Sequence, residues 1–88
     1  MKIYLGKSGL NSSWQEPFSK TIQCCKCKKE AKIMFVGFED YPDDKGNFIC
    51  NLHKTTGKKG GLWLHDAMSC AIYLCPFCFE ATAIVNQA

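Results

Sequence analysis

Two pairs of cysteines, each pair separated by two residues, are the part of this sequence best suited to chemistry. The first pair is Cys24 and Cys27, and the second is Cys75 and Cys78. Two thiolates three positions apart on a tight turn can bind one side of a metal ion, and a second such turn completes the tetrahedron that zinc prefers. The four cysteines therefore predict one structural Zn²⁺ ion, with iron as the less favoured metal.

Metal binding is favoured over disulfides by the size and composition of the chain. It has 88 residues, seven of them cysteine, and an odd number leaves one thiol outside a closed disulfide framework. The apolar start at residues 3–5 ends at Gly6 and Lys7, so neither an export signal nor a membrane span is expected. We therefore expect a cytoplasmic protein, in a compartment where reduced thiols bind metals. A domain this small needs such a cross-link, and we expect the metal-free chain to be largely unfolded.

The two cysteine pairs resemble those of zinc ribbons, which hold zinc between two β-hairpin knuckles. The Cys75-Pro76-Phe77-Cys78 knuckle is also similar to that of rubredoxins. The resemblance covers residues 21–39 and 69–86 and identifies no particular member. It implies a mainly β fold of antiparallel hairpins, with a small α+β fold as the alternative. Zinc ribbons serve many processes, so the resemblance transfers a fold and a metal rather than a function.

The elements that must position the cysteines are predicted to be strands. Residues 21–23 lead into the first knuckle, residues 31–39 form an apolar strand after it, and residues 79–85 form the last strand. Residues 62–74 fit both helical spacing and a strand, and we favour a strand from about Ser69 because a cysteine pair follows it.

Strict alternation along residues 31–39 predicts two apolar faces. One face would carry Ile33, Phe35 and Gly37, and the other Met34, Val36 and Phe38.

The chain divides into an arm and a domain. Residues 1–20 are predicted to form an N-terminal strand or arm packed on the core, and residues 21–88 the zinc-ribbon domain. The stretch between the two knuckles exceeds a minimal ribbon, so an inserted hairpin is expected at about residues 40–65. It would contain a turn at 41–47, a strand at 48–53 and a basic loop at 54–61.

The remaining metal-binding residue types allow two interpretations. Cys25 could replace its neighbour Cys24, although the spacing to Cys27 favours Cys24. A second metal site could combine residues outside the two pairs, namely Cys50, His53, Cys70 and His65. The alternative is that the two cysteines are buried as small apolar side chains and the histidines form local hydrogen bonds.

The expected function is a non-catalytic interaction module whose partner is a protein or a nucleic acid. Lysines cluster at the first knuckle, and the notable members are Lys26, Lys28, Lys29 and Lys32, which we expect near Phe35 and Phe38. They could bind phosphates or form a solvated face. All eleven basic residues are lysine, and the lack of arginine disfavours sequence-specific DNA recognition.

Two redox functions and an enzyme are less favoured. A rubredoxin-like iron electron carrier would use the same knuckles, but Lys28 and Phe79 stand where rubredoxins usually have glycine. Cys-Pro-Phe-Cys also resembles a glutaredoxin active site, yet the ten residues after Cys78 leave no room for that fold. Four cysteines close the zinc shell, so we expect neither hydrolytic catalysis nor a small-molecule substrate.

Overall fold

The structure, a computed structural model, describes residues 1–39, 49 and 67–88. Its strands are β1 (Lys2–Leu5), β2 (Thr21–Gln23), β3 (Glu30–Phe38), β4 (Met68–Leu74) and β5 (Ala81–Gln87), and a 3₁₀ helix spans Gly6–Gly9. Every pairing among these strands is antiparallel, and they form one sheet in the order β1-β3-β4-β5, with β2 also beside β3. The predicted mainly β fold of antiparallel strands is therefore confirmed, and the sheet is consistent with a small zinc-ribbon-like fold.

Strand β3 is the centre of the sheet, as expected from its apolar sequence. β4 pairs along one of its edges, while β2 and β1 share the other edge end to end. β2 pairs with the first part of β3, from Glu30 to Lys32, and β1 pairs with the part from Phe35 to Phe38. The half of β3 nearest the first cysteine pair is thus held by the strand that precedes that pair.

The predicted faces of β3 are wrong beyond Ile33, because the strand contains an irregularity at Met34. Ile33 pairs with Tyr73, but the next paired residue of β3 is Phe35, opposite Ile72. An extra residue of this kind, a β-bulge, reverses the alternation of side chains in the rest of the strand. Since paired residues share a face, Ile33 lies on the same face as Val36 and not as Phe35.

The chain before the second cysteine pair is a strand and not a helix. β4 has the alternating burial of a strand covered mainly on one face, with Ser69, Ala71 and Tyr73 fully buried. β5 begins at Ala81, two residues later than predicted. The reason is local: Phe79 has a positive φ of 61° and belongs to the knuckle, because extended strands require negative φ.

The chain between β1 and β2 covers the face of the sheet that carries Val36 and Tyr73. A Cβ atom on Gly9 would lie 2.7 Å from Cγ2 of Val36, so only glycine allows this close approach. Phe18 is buried in the same core, and the ring of Trp14 stacks on Phe38 with centroids 5.0 Å apart. These contacts bury apolar surface that a sheet of this size cannot bury by itself.

Polar side chains of the sheet bind the backbone of this covering segment. The Tyr73 hydroxyl donates to the Ser19 carbonyl at 2.7 Å, and the buried Ser69 hydroxyl donates to the Ser12 carbonyl. Asn86 accepts from the Trp14 backbone N–H at 3.1 Å and donates to the Ser13 hydroxyl at 2.8 Å. Each bond satisfies a loop group that is shielded from water, so the segment is fixed by specific contacts.

The buried side chain of Glu39 lies at the end of the described sheet, directly after β3 and beside the start of β4. Glu39 is 2% exposed, and its side chain accepts the backbone N–H groups of Ile49 and Met68. These two bonds satisfy a polar side chain that is closed off from water. The predicted inserted hairpin, with its turn at 41–47, strand at 48–53 and loop at 54–61, lies outside the described residues apart from Ile49. Within the described ranges, no helix is long and apolar enough to cross a membrane.

Candidate metal centre

Both cysteine pairs lie at the same end of the sheet. The first connects β2 to β3, and the second connects β4 to β5, so each pair forms the tip of a hairpin. Because β3 and β4 are antiparallel, the start of β3 lies beside the end of β4, and Lys32 pairs with Leu74. The register of one strand pair therefore brings together two segments that are distant in sequence.

The two knuckles have the same backbone hydrogen bonds. In the first, Cys24 N–H donates to the Lys29 carbonyl at 2.7 Å, and Lys28 N–H donates to the Cys24 carbonyl at 3.0 Å. In the second, Cys75 N–H donates to the Glu80 carbonyl at 3.0 Å, and Phe79 N–H donates to the Cys75 carbonyl at 2.8 Å. Each bond joins equivalent positions, so the knuckles are two copies of one turn.

The residue after each cysteine pair adopts a left-handed backbone conformation. Lys28 has φ 66° and Phe79 has φ 61°, and these are the described non-glycine residues with positive φ. Such a conformation costs a residue with a Cβ atom about 1–2 kcal/mol, and glycine escapes most of that cost. The chain thus has a lysine and a phenylalanine at the two positions where glycine would be most favourable.

The four sulfur atoms of the cysteine pairs form a compact group. The Sγ atoms of Cys24, Cys27, Cys75 and Cys78 all lie within 4.8 Å of one another. The short contacts run between knuckles, 3.6 Å for Cys24–Cys78 and 3.4 Å for Cys27–Cys75. A tetrahedral zinc ion with Zn–S bonds near 2.3 Å has sulfurs roughly 3.8 Å apart, and a disulfide has them about 2.05 Å apart. The four free thiols fit a metal ion and not a pair of disulfides.

Backbone N–H groups point at the sulfurs and favour the thiolate in the more buried member of each pair. The N–H groups of Cys27 and Lys26 lower the pKa of Cys24 to about 6, the latter with an N···S distance of 3.4 Å. Burial acts to raise the pKa of Cys75, but the N–H groups of Cys78 and Phe77 outweigh it and the pKa is lowered. Both sulfurs lie inside the fold, with no exposed surface on either residue.

The Cys78 thiol resists ionisation. The N–H group of Glu80 acts to lower its pKa, yet burial and the three neighbouring cysteine sulfurs raise the pKa to about 12. Four thiolates this close repel one another, so they cannot all ionise without a cation among them. A divalent metal ion supplies that charge, and its binding releases the protons that remain.

Cys25 and Cys70, the two further cysteines that the structure describes, do not join this group. Cys25 is exposed, with its Sγ 3.8 Å from the Thr82 hydroxyl, so the backbone directs Cys24 and not Cys25 toward the other sulfurs. Cys70 lies along β4, where burial raises the pKa of its thiol. The remaining members of the predicted second site, Cys50, His53 and His65, lie outside the described residues.

The aromatic neighbours of the lysine cluster differ from those predicted. Phe38 stacks on Trp14 and pairs with Ser69, at the end of the sheet away from the knuckles. Lys29 instead meets the second knuckle, where its Nζ lies 4.6 Å from the centroid of the Phe77 ring. Sequence proximity did not indicate Phe77, because it comes from a hairpin almost fifty residues away.

Phe77 and Phe79 are two exposed residues of the second knuckle for which the sequence predicted no role. They are 61% and 74% exposed, although both are large apolar side chains. Their position inside and directly after a cysteine pair was the available signal, since a knuckle presents its intervening residues to solvent once its cysteines turn inward.

The four sulfurs of the two knuckles could together hold one metal ion. Comparison of the chain with protein-family models, curated proteins and solved structures found no match. The interpretation of this centre therefore depends on its own residues and geometry.

Proposed function

We propose that the protein binds one zinc ion through Cys24, Cys27, Cys75 and Cys78, and that this zinc holds the fold together. The observation that carries the proposal is the group of four sulfurs within 4.8 Å, contributed by two knuckles of matching backbone. Four cysteines in tetrahedral reach are the usual ligands of a structural zinc ion. Iron would occupy the same ligands, and zinc is preferred because the chain lacks the post-knuckle glycines usual in rubredoxins.

The protein so assembled is an interaction module and not an enzyme. A closed shell supplies no metal-bound water, which hydrolytic zinc sites need. Rigid metal-bound knuckles can instead present a fixed surface to a partner, either a protein or a nucleic acid. We place the module in the reducing cytoplasm, and the absence of disulfides among the six described cysteines supports this placement.

The test is elemental analysis of the purified protein, followed by thermal unfolding with and without a chelator. We expect about one zinc per chain and loss of cooperative unfolding on chelation, because structural zinc contributes on the order of 10–16 kcal/mol at neutral pH. Stoichiometric iron with a reversible one-electron couple would replace the proposal with electron transfer. A metal-free protein with an unchanged melting transition would overturn it.

Matched cysteine variants identify the ligands. Cys24→Ser should lose the metal, whereas Cys25→Ser, at the adjacent position, should bind one equivalent with unchanged affinity. Cys70→Ser provides a second control on β4. Zinc loss in Cys25→Ser and not in Cys24→Ser would show that the first knuckle is arranged differently from the structure described here.

A further inference from the structure

We propose that the two knuckles together bind single-stranded nucleic acid, with bases stacked on Phe79 and Phe77 and phosphates bound by the lysines of the first knuckle. This inference rests on the proposed function, because the metal ion fixes the two knuckles beside each other. It names the partner of the module and the residues that bind it.

Phe79 combines two unfavourable features, one in its backbone and one in its side chain. Its backbone is left-handed, which glycine would relieve, and its ring is 74% exposed, which water disfavours. Neither feature helps the isolated domain to fold. Residues held in unfavourable conformations are concentrated at functional sites, and an exposed aromatic ring is the surface on which an unpaired base stacks.

The second observation is the charge beside these rings. Lys26, Lys28 and Lys29 are exposed on the first knuckle, and the contact between Lys29 and the Phe77 ring places a lysine of the first knuckle beside a ring of the second. A shallow depression of ≈ 300 Å³, lined in part by Lys28, Lys29 and Thr21, adjoins this surface. When bases stack on aromatic rings, their phosphates lie close by, and ammonium groups beside the rings bind those phosphates.

Negative groups also lie near these lysines, and they differ in how far they are buried. Glu30 and Glu80 follow the knuckles, and a zinc ion with four thiolates carries a net charge of −2. The thiolate charge is partly neutralised by backbone N–H groups, and Cys24 and Cys75 are fully buried. Lys26, Lys28 and Lys29 are exposed. Lys28 Nζ also donates to the Cys25 carbonyl at 3.2 Å, and Lys29 Nζ lies over the Phe77 ring, so two of the three ammonium groups are held at the knuckle surface where a polyanion can reach them.

The same residues indicate which nucleic acid is bound. Stacking on Phe79 requires an unpaired base, so single strands should bind more tightly than duplexes. The chain has lysine but no arginine, so bidentate reading of guanine is not available and preference among sequences should be weak. Three lysine–phosphate contacts give a slope of about −2 in a plot of log affinity against log salt concentration, since each contributes roughly −0.7 for single strands.

The experiment measures fluorescence anisotropy of labelled single-stranded oligo(dT) and oligo(rU) with the zinc-loaded full chain. Phe79→Gly should weaken binding about 10-fold or more, because one stacked base is lost, while its melting temperature stays the same or rises. Phe79→Asn, which tolerates the left-handed backbone, should behave alike. Leu5→Ala is the matched control, because Leu5 is also 74% exposed but lies on β1.

A lysine variant tests the phosphate contacts separately. Lys28→Gly should weaken binding at low salt and reduce the magnitude of the salt slope by about 0.7, with little difference between oligo(dT) and oligo(rU). Lys7→Ala, in the 3₁₀ helix, is its control and should change neither quantity.

Several results would overturn the inference. They are the absence of binding at low salt, equal or tighter binding of duplex, equal binding of poly-glutamate, or Phe79→Gly binding like the wild type. Equal binding of poly-glutamate would indicate an acidic protein as the partner. Zinc content measured on the same samples separates the two proposals: zinc-loaded, folded protein that binds no oligonucleotide refutes this inference alone.

Discussion

The two knuckles of this protein share one backbone and differ in nearly every side chain between and after their cysteines. In both knuckles, two backbone hydrogen bonds join equivalent positions, and the residue after the second cysteine has a left-handed backbone conformation. The first presents lysines to solvent, and the second presents Pro76, Phe77 and Phe79. The turn geometry is therefore set by cysteine spacing and backbone bonding. The exposed side chains form a surface that is basic on the first knuckle and aromatic on the second.

Removing one cysteine ligand from either knuckle is expected to have the largest effect, because the two knuckles supply equivalent pairs of ligands. Cys24→Ser and Cys75→Ser should each lose zinc and destabilise the fold by several kcal/mol, because one missing thiolate forfeits much of the metal-binding free energy. Since both cysteines are fully buried, we expect equal losses, measured as zinc affinity by competition with a chromophoric chelator. A large loss in one variant alone would break the equivalence.

Acid should release the metal, since protons compete with it for the thiolates. The pKa of Cys24 is lowered to about 6 from its ordinary 9.0, so its thiolate stabilises the fold fully above pH 9 and loses this effect as the pH falls through 6.

A zinc indicator followed during acid titration measures this release. We expect zinc to stay bound near neutral pH and to be released as the pH falls below about 6, with the melting temperature decreasing in parallel. Complete release well above pH 7 would show that backbone N–H groups do not favour the Cys24 thiolate as described.

Glycine at the residue after each cysteine pair should stabilise the protein. Lys28→Gly and Phe79→Gly each remove about 1–2 kcal/mol of left-handed strain and add about 0.5–1 kcal/mol of glycine entropy. The net gain is roughly 0.5–1 kcal/mol in the free energy of unfolding, measured with urea at fixed free zinc. Lys28→Ala and Phe79→Ala are the controls, because alanine keeps the strain. Destabilisation by either glycine would show that its side chain contributes to folding.

The contact between the knuckles is expected to have the smallest effect. Lys29 and Phe77 form an exposed cation–π pair at 4.6 Å, and such pairs contribute about 0.5–1 kcal/mol. A double-mutant cycle with Lys29→Ala and Phe77→Ala should give a coupling of that size in the free energy of unfolding. Zero coupling would mean that only the metal and the sheet join the knuckles, and that their surfaces are independent.

Much of the fold was predictable because its signals are local. The strand before the first knuckle and the strand character of residues 68–74 follow from β-branched and aromatic residues next to a cysteine pair. The faces of β3 were not predictable, since nothing in its sequence marks Met34 as the irregular position. That irregularity depends on pairing with β4, and β4 lies beyond an intervening stretch of almost thirty residues.

The candidate centre also combines a feature that the sequence predicted with one that it did not. Spacing selected Cys24 over Cys25, and the structure places the Cys24 sulfur with the other three and leaves Cys25 exposed. The aromatic neighbours of the lysines were assigned to Phe35 and Phe38 because these are near in sequence. The true neighbour, Phe77, depends on the antiparallel pairing of β3 with β4.

The two turns, the four thiols and the strands beside them could be read from the sequence, because each depends on residues within a few positions. The meeting of the knuckles at one end of the sheet, the stacking of Phe38 on Trp14 and the position of Lys29 over Phe77 appear only in the folded chain. The physical reason is that strand register is fixed by contacts between distant segments, and a shift of one residue moves every side chain to the other face.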